Sequence, residues 1–240
     1  MFKWLKNFIK NNFFNTKWRC NICNVEVFDG EYFCKSCYKE LPFNDGAICD
    51  HCGRKVSQPT LYCSTCKERL LSIDKSRSVF VYDKAIKALI KRAKYDRKTY
   101  LIELFTKYMS FVYFKSYFNA DYLCYIPMTK KALRKRGYNQ SKILADNLSE
   151  RINVPVINAI SKVKDTTRQA TLNRAERLKN LEGAFIVTDK KSIKDKVLVI
   201  IDDVTTTGAT AENVAKTLKR AGASKVYLLT VASVPPKQGY

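Results

Sequence analysis

The sequence predicts an α/β protein, a mostly parallel sheet with helices on both faces, preceded by a small cysteine-rich domain. Three observations predict it. Strand-length apolar runs alternate with helical patterns from residue 73 onward. Eight of the nine cysteines lie before residue 67, in four C-x-x-C pairs. A composition of 46% hydrophobic and 28% charged residues, with 8 Gly and 6 Pro, gives a sizeable core and excludes a collagen-like or linker-dominated chain.

Taken in order, residues 1–17 come first. Phe2, Leu5, Phe8 and Ile9 recur at helical spacing with Lys3, Lys6 and Lys10 among them. This fits a short docking helix or a peripheral membrane contact. No uninterrupted apolar region or small-residue cleavage site follows, so no signal peptide is expected. Apolar runs such as Tyr122–Met128 and Val197–Ile201 are far below the roughly 18 residues of a span. A cytoplasmic protein is expected.

Residues 18–72 hold the pairs Cys20/Cys23, Cys34/Cys37, Cys49/Cys52 and Cys63/Cys66. Two residues between thiolates let a pair face one ion, and a tetrahedral zinc needs two pairs. Disulfides suit an exported chain, redox chemistry needs fewer copies, and iron–sulfur spacing is less regular. Two structural zinc sites are therefore expected. The simplest pairing joins Cys20 and Cys23 with Cys34 and Cys37, and Cys49 and Cys52 with Cys63 and Cys66; an interleaved pairing stays open. With every position filled by protein, neither zinc is left a site for water or substrate. His51, the single histidine, reads as a bystander, and Cys124 as a buried inert thiol.

Residues 73–240 form the second domain. Ser78–Tyr82, Asp121–Ile126, Val154–Ile157, Ala184–Val187, Val197–Ile201 and Val226–Val231 read as strands. Ala85–Arg92, Leu101–Phe114, Gln140–Arg151 and Ala209–Ala221 read as helices, the last closed by Gly222. Ligands of such sheets bind at the carboxyl ends of the strands.

The strongest chemical signal lies at such an end. Lys196–Thr210 runs from an apolar strand through Asp202 and Asp203 into Thr205, Thr206, Thr207, Gly208, Ala209 and Thr210, where a helix begins. Backbone N–H groups and hydroxyls of the turn suit a phosphate dianion. The two carboxylates can accept hydrogen bonds from vicinal sugar hydroxyls. The pattern reads as a ribose 5-phosphate site, and the lack of Gly-Lys-Ser/Thr separates it from a P-loop.

Charge points the same way. Lys plus Arg number 44 against 22 acids, a formal charge of +22. Residues 73–183 hold 24 basic and 10 acidic residues. An anionic partner is expected. Lys84, Lys87, Lys91, Lys94 and Lys98 fall on one helical stripe suited to a phosphate backbone. Arg134, Lys135 and Arg136 add a second basic group.

The string Asp202-Asp-Val-Thr-Thr-Thr-Gly208 resembles the phosphoribosyl-pyrophosphate (PRPP) signature of type I phosphoribosyltransferases. Ile126-Pro-Met-Thr129, Arg134-Lys-Arg-Gly-Tyr-Asn-Gln-Ser141 and Asp165–Asn180, with the double zinc ribbon before them, resemble the ComF family, which includes competence proteins of the ComFC and GntX type. The resemblance covers about residues 18–234. It implies a type I phosphoribosyltransferase-like sheet. It implies that Met128, Thr129 and Lys130 contact pyrophosphate. It also implies that a loop over 164–180, with Arg168, Gln169, Arg174 and Arg177, closes on the reacting centre, and that Mg2+ rides on PRPP oxygens. The function implied is handling of incoming single-stranded DNA in natural transformation, alongside competence-machinery proteins. Phosphoribosyl transfer to an unidentified base or amine, and PRPP sensing without transfer, stand as alternatives.

Overall fold

The computed structural model describes residues 19–28, 31–67, 72–95, 99–164 and 183–235. The expected amphipathic segment 1–17, the closing-loop residues Arg168, Gln169, Arg174 and Arg177, and Lys98 lie outside the described residues. The chain divides into two compact units, Met1–Pro42 and Phe43–Tyr240, between the two cysteine groups.

In the first unit the chain reverses after Cys20-Asn-Ile-Cys23. Asn24 sits at φ 67°, its N–H bonded to Cys20 O at 2.9 Å, and Arg19 bridges Glu26. Short α1 (Lys35–Lys39) is capped by Cys34, whose Sγ accepts from Cys37 N at 3.4 Å.

The second unit opens with the same knuckle. Gly53 takes the place of Asn24, at φ 67°, with its N–H on Cys49 O at 2.9 Å. Short α2 spans Ser64–Lys67. A four-stranded sheet follows, ordered β1 (Lys75–Val81), β6 (Lys225–Ser233), β5 (Val197–Thr205), β2 (Tyr122–Tyr125), with every pairing parallel.

Helices α3 (Lys84–Tyr95), α4 (Thr99–Lys115), α5 (Lys130–Arg136), α6 (Gln140–Ile152) and α7 (Ala209–Arg220) complete it. The central strands β5 and β6 are buried on both sides over Leu198–Ile201 and Leu228–Val231, so those stretches run largely apolar without alternation, whereas the edge strand β1 begins Lys75-Ser-Arg-Ser78 and alternates in burial. Leu198, Ile200, Val226 and Leu228 pack with Val214, Ala215 and Leu218 of α7. The alternate residues Val199, Ile201 and Leu229 are equally buried, on the face that α4 and α6 cover. Asp83 starts α3 by accepting from Ile86 N at 2.8 Å, and Asn139 starts α6 by accepting from Ser141 N and Lys142 N.

Two expectations change. Val154–Ile157 does not form a full strand. It makes one parallel bridge, Val156 to Leu123, because Pro155 has no N–H to donate and offers only its carbonyl, to Leu123 N at 2.9 Å. The expected strand at 184–187 forms as β4 (Phe185–Val187), but it pairs antiparallel with β3 (Ile160–Lys162) in a separate two-stranded ribbon rather than joining the parallel sheet. Among the described residues, no helix is long and apolar enough to cross a membrane.

Candidate functional site

Each cysteine group gathers its sulfurs. Those of Cys20, Cys23, Cys34 and Cys37 lie within 4.8 Å of one another, as do those of Cys49, Cys52, Cys63 and Cys66. Observed separations are 3.7 Å for Cys23 to Cys34, 3.8 Å for Cys52 to Cys63 and 3.6 Å for Cys63 to Cys66. A tetrahedron of thiolates about 2.3 Å from zinc has edges of about 3.8 Å, so both groups fit a structural zinc. The simpler of the two pairings is the one formed. His51 is outside both groups and lies against Tyr62, ring centroids 5.2 Å apart. Cys124 is buried, and desolvation pushes its thiol up to about 12, which makes it unreactive.

At the carboxyl end of β5 lies a cleft of about 300 Å³. Its floor is Asp202 and Asp203; one wall is Ile126–Thr129 after β2, and the other comes from Arg136, Asn139, Gln140, Ser141 and Lys162. β5 runs four residues past the expected Ile201 because its pairing with β6 continues to Thr205 and Ser233. The two acids thus leave the sheet in extended conformation and in adjacent, opposite directions.

Asp202 Oδ1 accepts from Ser141 Oγ at 2.7 Å and from the Asp203 N–H at 2.9 Å. Burial nevertheless pushes the Asp202 carboxyl up to about 6, against the pull of Ser141, Lys94 and Arg136. Asp203 forms an ion pair with Lys94, and its Oδ1 accepts from Val204 N at 2.8 Å. Burial lowers Lys94 to about 8, with Asp202 opposing and Arg136 adding to the shift.

The turn beyond the acids holds Gly208 at φ 79°, an N-cap without a side-chain hydrogen bond. A non-glycine residue is strained there. A Cβ there would meet only Thr205 Oγ1, at 3.9 Å, and the Ala209 N–H donates to Thr207 Oγ1 at 3.4 Å.

Thr129 and Lys130 behave differently from each other. Thr129 is buried and caps α5, its Oγ1 accepting from Ala132 N at 3.2 Å, while Lys130 is exposed and outside the cleft lining. Met128 and Thr129 line the cleft. Of the basic residues, Lys84, Lys87 and Lys91 are exposed on α3, and Arg134 and Lys135 on α5. Lys94 and Arg136 depart from the expected open nucleic-acid surface. Lys94 turns in to Asp203, and Arg136 lines the cleft 5.7 Å from the Tyr138 ring centroid. Lys94 lies one turn past the exposed Lys91, and Arg136 is the last residue of its helix, next to the exposed Lys135.

Ser141, Gln140 and Lys162 are site residues that sequence reasoning did not assign. Gln140 and Ser141 close the Arg-Lys-Arg-Gly-Tyr-Asn-Gln-Ser motif, a signal that was available. Lys162 carries no local signal, because β3 delivers it from a separate element.

The fold and the cysteine groups define a zinc-ribbon protein built on a phosphoribosyltransferase-type domain. Residues 132–239 match the phosphoribosyl transferase domain family, and residues 14–70 match the double zinc ribbon domain family. The chain is 27% identical over 229 residues to competence protein F of Haemophilus influenzae, covering 92% of this chain and 98% of that protein. It is 29% identical over 198 residues to competence protein ComFC of Bacillus subtilis, covering 80% of each. It is 24% identical over 213 residues to DNA utilization protein YhgH of Escherichia coli K12, covering 86% of this chain and 93% of that protein. Each of these three proteins is similar to this chain along most of its own length.

Proposed function

We propose that the chain binds PRPP or a related phosphoribosyl ligand in the β5 cleft and supports the handling of incoming single-stranded DNA in the cytoplasm during natural transformation. The observation that carries the first part is the pair Asp202 and Asp203 at the strand end, followed directly by the glycine-led start of α7. The carboxylates accept from the ribose hydroxyls. The 205–210 turn takes the 5-phosphate through its amides and the hydroxyls of Thr205, Thr206, Thr207 and Thr210.

Arg136 and Lys162 supply the positive side of the cleft for pyrophosphate, with Met128 and Thr129 beside them, and Lys130 is proposed to reach the pyrophosphate from outside the cleft lining. The Lys94–Asp203 pair must open or shift for a hydroxyl to reach Asp203. Mg2+ would neutralise pyrophosphate and withdraw electrons from the anomeric bond. Arg168, Gln169, Arg174 and Arg177 are proposed to cover the reacting centre and exclude water.

The DNA half rests on the exposed Lys84, Lys87, Lys91, Arg134 and Lys135, on the excess charge of residues 73–183, and on the competence and DNA-utilization relatives. Competence-machinery proteins are its proposed partners.

Titrations of the purified chain with PRPP and with an oligonucleotide, separately and in competition, test both halves. Saturable binding of each is expected. Failure to bind PRPP removes the first half, and salt-independent oligonucleotide binding removes the second. Release of pyrophosphate on adding a base or amine would identify the chain as a pentosyl transferase.

A further inference from the structure

Arg54 stands immediately after the Cys49–Gly53 knuckle of the second zinc ribbon. Its Nη2 donates to the Thr206 carbonyl at 3.2 Å, joining residues 152 apart in the chain. That carbonyl belongs to the 205–210 turn. Among the described residues no carboxylate pairs with Arg54. A guanidinium has five donors, and one bond to a carbonyl leaves its charge uncompensated.

The knuckle that presents Arg54 is fixed against the sheet. Gly53 is buried, and a Cβ there would meet Ser76 O at 2.4 Å, so no other residue fits. Ser76 N donates to His51 O at 2.7 Å, and Asn44 Nδ2 donates to Gly53 O at 2.7 Å. Arg77 Nη1 donates to Asp50 O at 2.5 Å, and its other arm pairs with the Asp50 carboxylate. On the far side of the turn, Glu212 in the first turn of α7 accepts from Ser72 N at 2.5 Å, just after the ribbon ends. The second ribbon therefore touches the turn through Arg54, and the segment that follows the ribbon touches the start of the next helix through Ser72.

We propose that Arg54 is a phosphate-binding residue of the phosphoribosyl site, delivered by the second zinc ribbon. The inference rests on the phosphoribosyl reading above and adds the residue that completes the phosphate end. The ligand group is a phosphate monoester dianion, the 5-phosphate of ribose 5-phosphate or of PRPP. A guanidinium holds such a group through two parallel charged donors, and that positive charge is what the neutral amides of the turn do not supply. The zinc is then a part of the ligand site at one remove: it sets the knuckle, and the knuckle sets Arg54.

The test titrates ribose 5-phosphate and PRPP into the full chain as wild type, Arg54→Ala, Arg54→Lys, Cys63→Ser and Cys34→Ser, with zinc counted in each. Arg54→Ala should bind both ligands at least tenfold more weakly while keeping two zinc ions, and Arg54→Lys should recover part of the loss. Cys63→Ser should lose one zinc and bind as weakly as Arg54→Ala, whereas Cys34→Ser should lose one zinc and keep wild-type affinity. Arg54→Ala affinity within twofold of wild type overturns the proposal.

If the wild type binds neither sugar phosphate, the functional reading falls, and inorganic phosphate decides Arg54 by amide exchange over 205–211. Slowing of exchange in the wild type but not in Arg54→Ala upholds it. Identical traces overturn it.

Discussion

Asp202 and Asp203 are adjacent in the chain and opposite in their electrostatics. Asp203 has an ammonium, Lys94, as a direct partner. Asp202 has a hydroxyl and an amide, which do not offset its burial, and its carboxyl is pushed up to about 6. A folded pKa above the unfolded value stabilises the protein fully below the unfolded value, near 4, and that stabilisation is lost as pH rises through about 6. Asp202→Asn removes the cost of ionisation and keeps an oxygen for Ser141. It is expected to raise the melting temperature at pH 7.5 by a few degrees, to raise it less at pH 4.5, and to weaken PRPP binding. Thermal melts at the two pH values check this, and a lower melting temperature for the variant at pH 7.5 would refute the burial argument. On the proposed reading, the protein exchanges stability for an ionised sugar-binding group, as functional sites commonly do.

Helix α3 shows how far periodicity reaches. Its lysine spacing placed Lys84, Lys87, Lys91 and Lys94 on one stripe, and the exposure of the first three agrees with that geometry. Spacing alone could not show that the last turn ends beside the carboxyl end of β5, where Lys94 meets Asp203. Charge reversal at Lys87, Lys91 and Lys94 together would therefore disturb the ligand cleft as well as the stripe. The separable test is Lys84→Glu with Lys87→Glu and Lys91→Glu. If the stripe carries single-stranded DNA, removing three phosphate contacts should lower the salt slope by about 2 and leave PRPP affinity within twofold. A wild-type slope in that variant makes the stripe a solvated face.

The same limit explains the other elements. β5, α6 and α7 were legible because their apolar patterns and caps are local. α5 was not, since Lys130–Arg136 is charged along nearly its whole length and its two signals, the Thr129 cap and Gly137 at φ 82°, flank it. The short β3 strand has too few residues to show a period.

Across the molecule, two kinds of chemistry were legible to different depths. Thiolates at fixed spacing imply their own geometry, and both sulfur clusters close to zinc-like dimensions. Replacing Cys34 and Cys37 by Ser should release one zinc per chain and leave the unit from Phe43 onward folded. Elemental analysis with circular dichroism reads this out; loss of both ions would contradict independent sites. The cleft was legible only in its central string, because Lys94, Arg136, Ser141 and Lys162 converge on it from four separate elements.

On the proposed reading, this convergence binds a phosphoribosyl ligand through the two acids. Calorimetric titration of PRPP into Asp202→Ala/Asp203→Ala, beside the wild type, tests it most directly. Each hydrogen bond to a charged group contributes about 1.5–3 kcal/mol, so losing two should weaken binding by more than a hundredfold, with two zinc ions still bound. Unchanged PRPP affinity in that folded, zinc-loaded double variant would contradict the site.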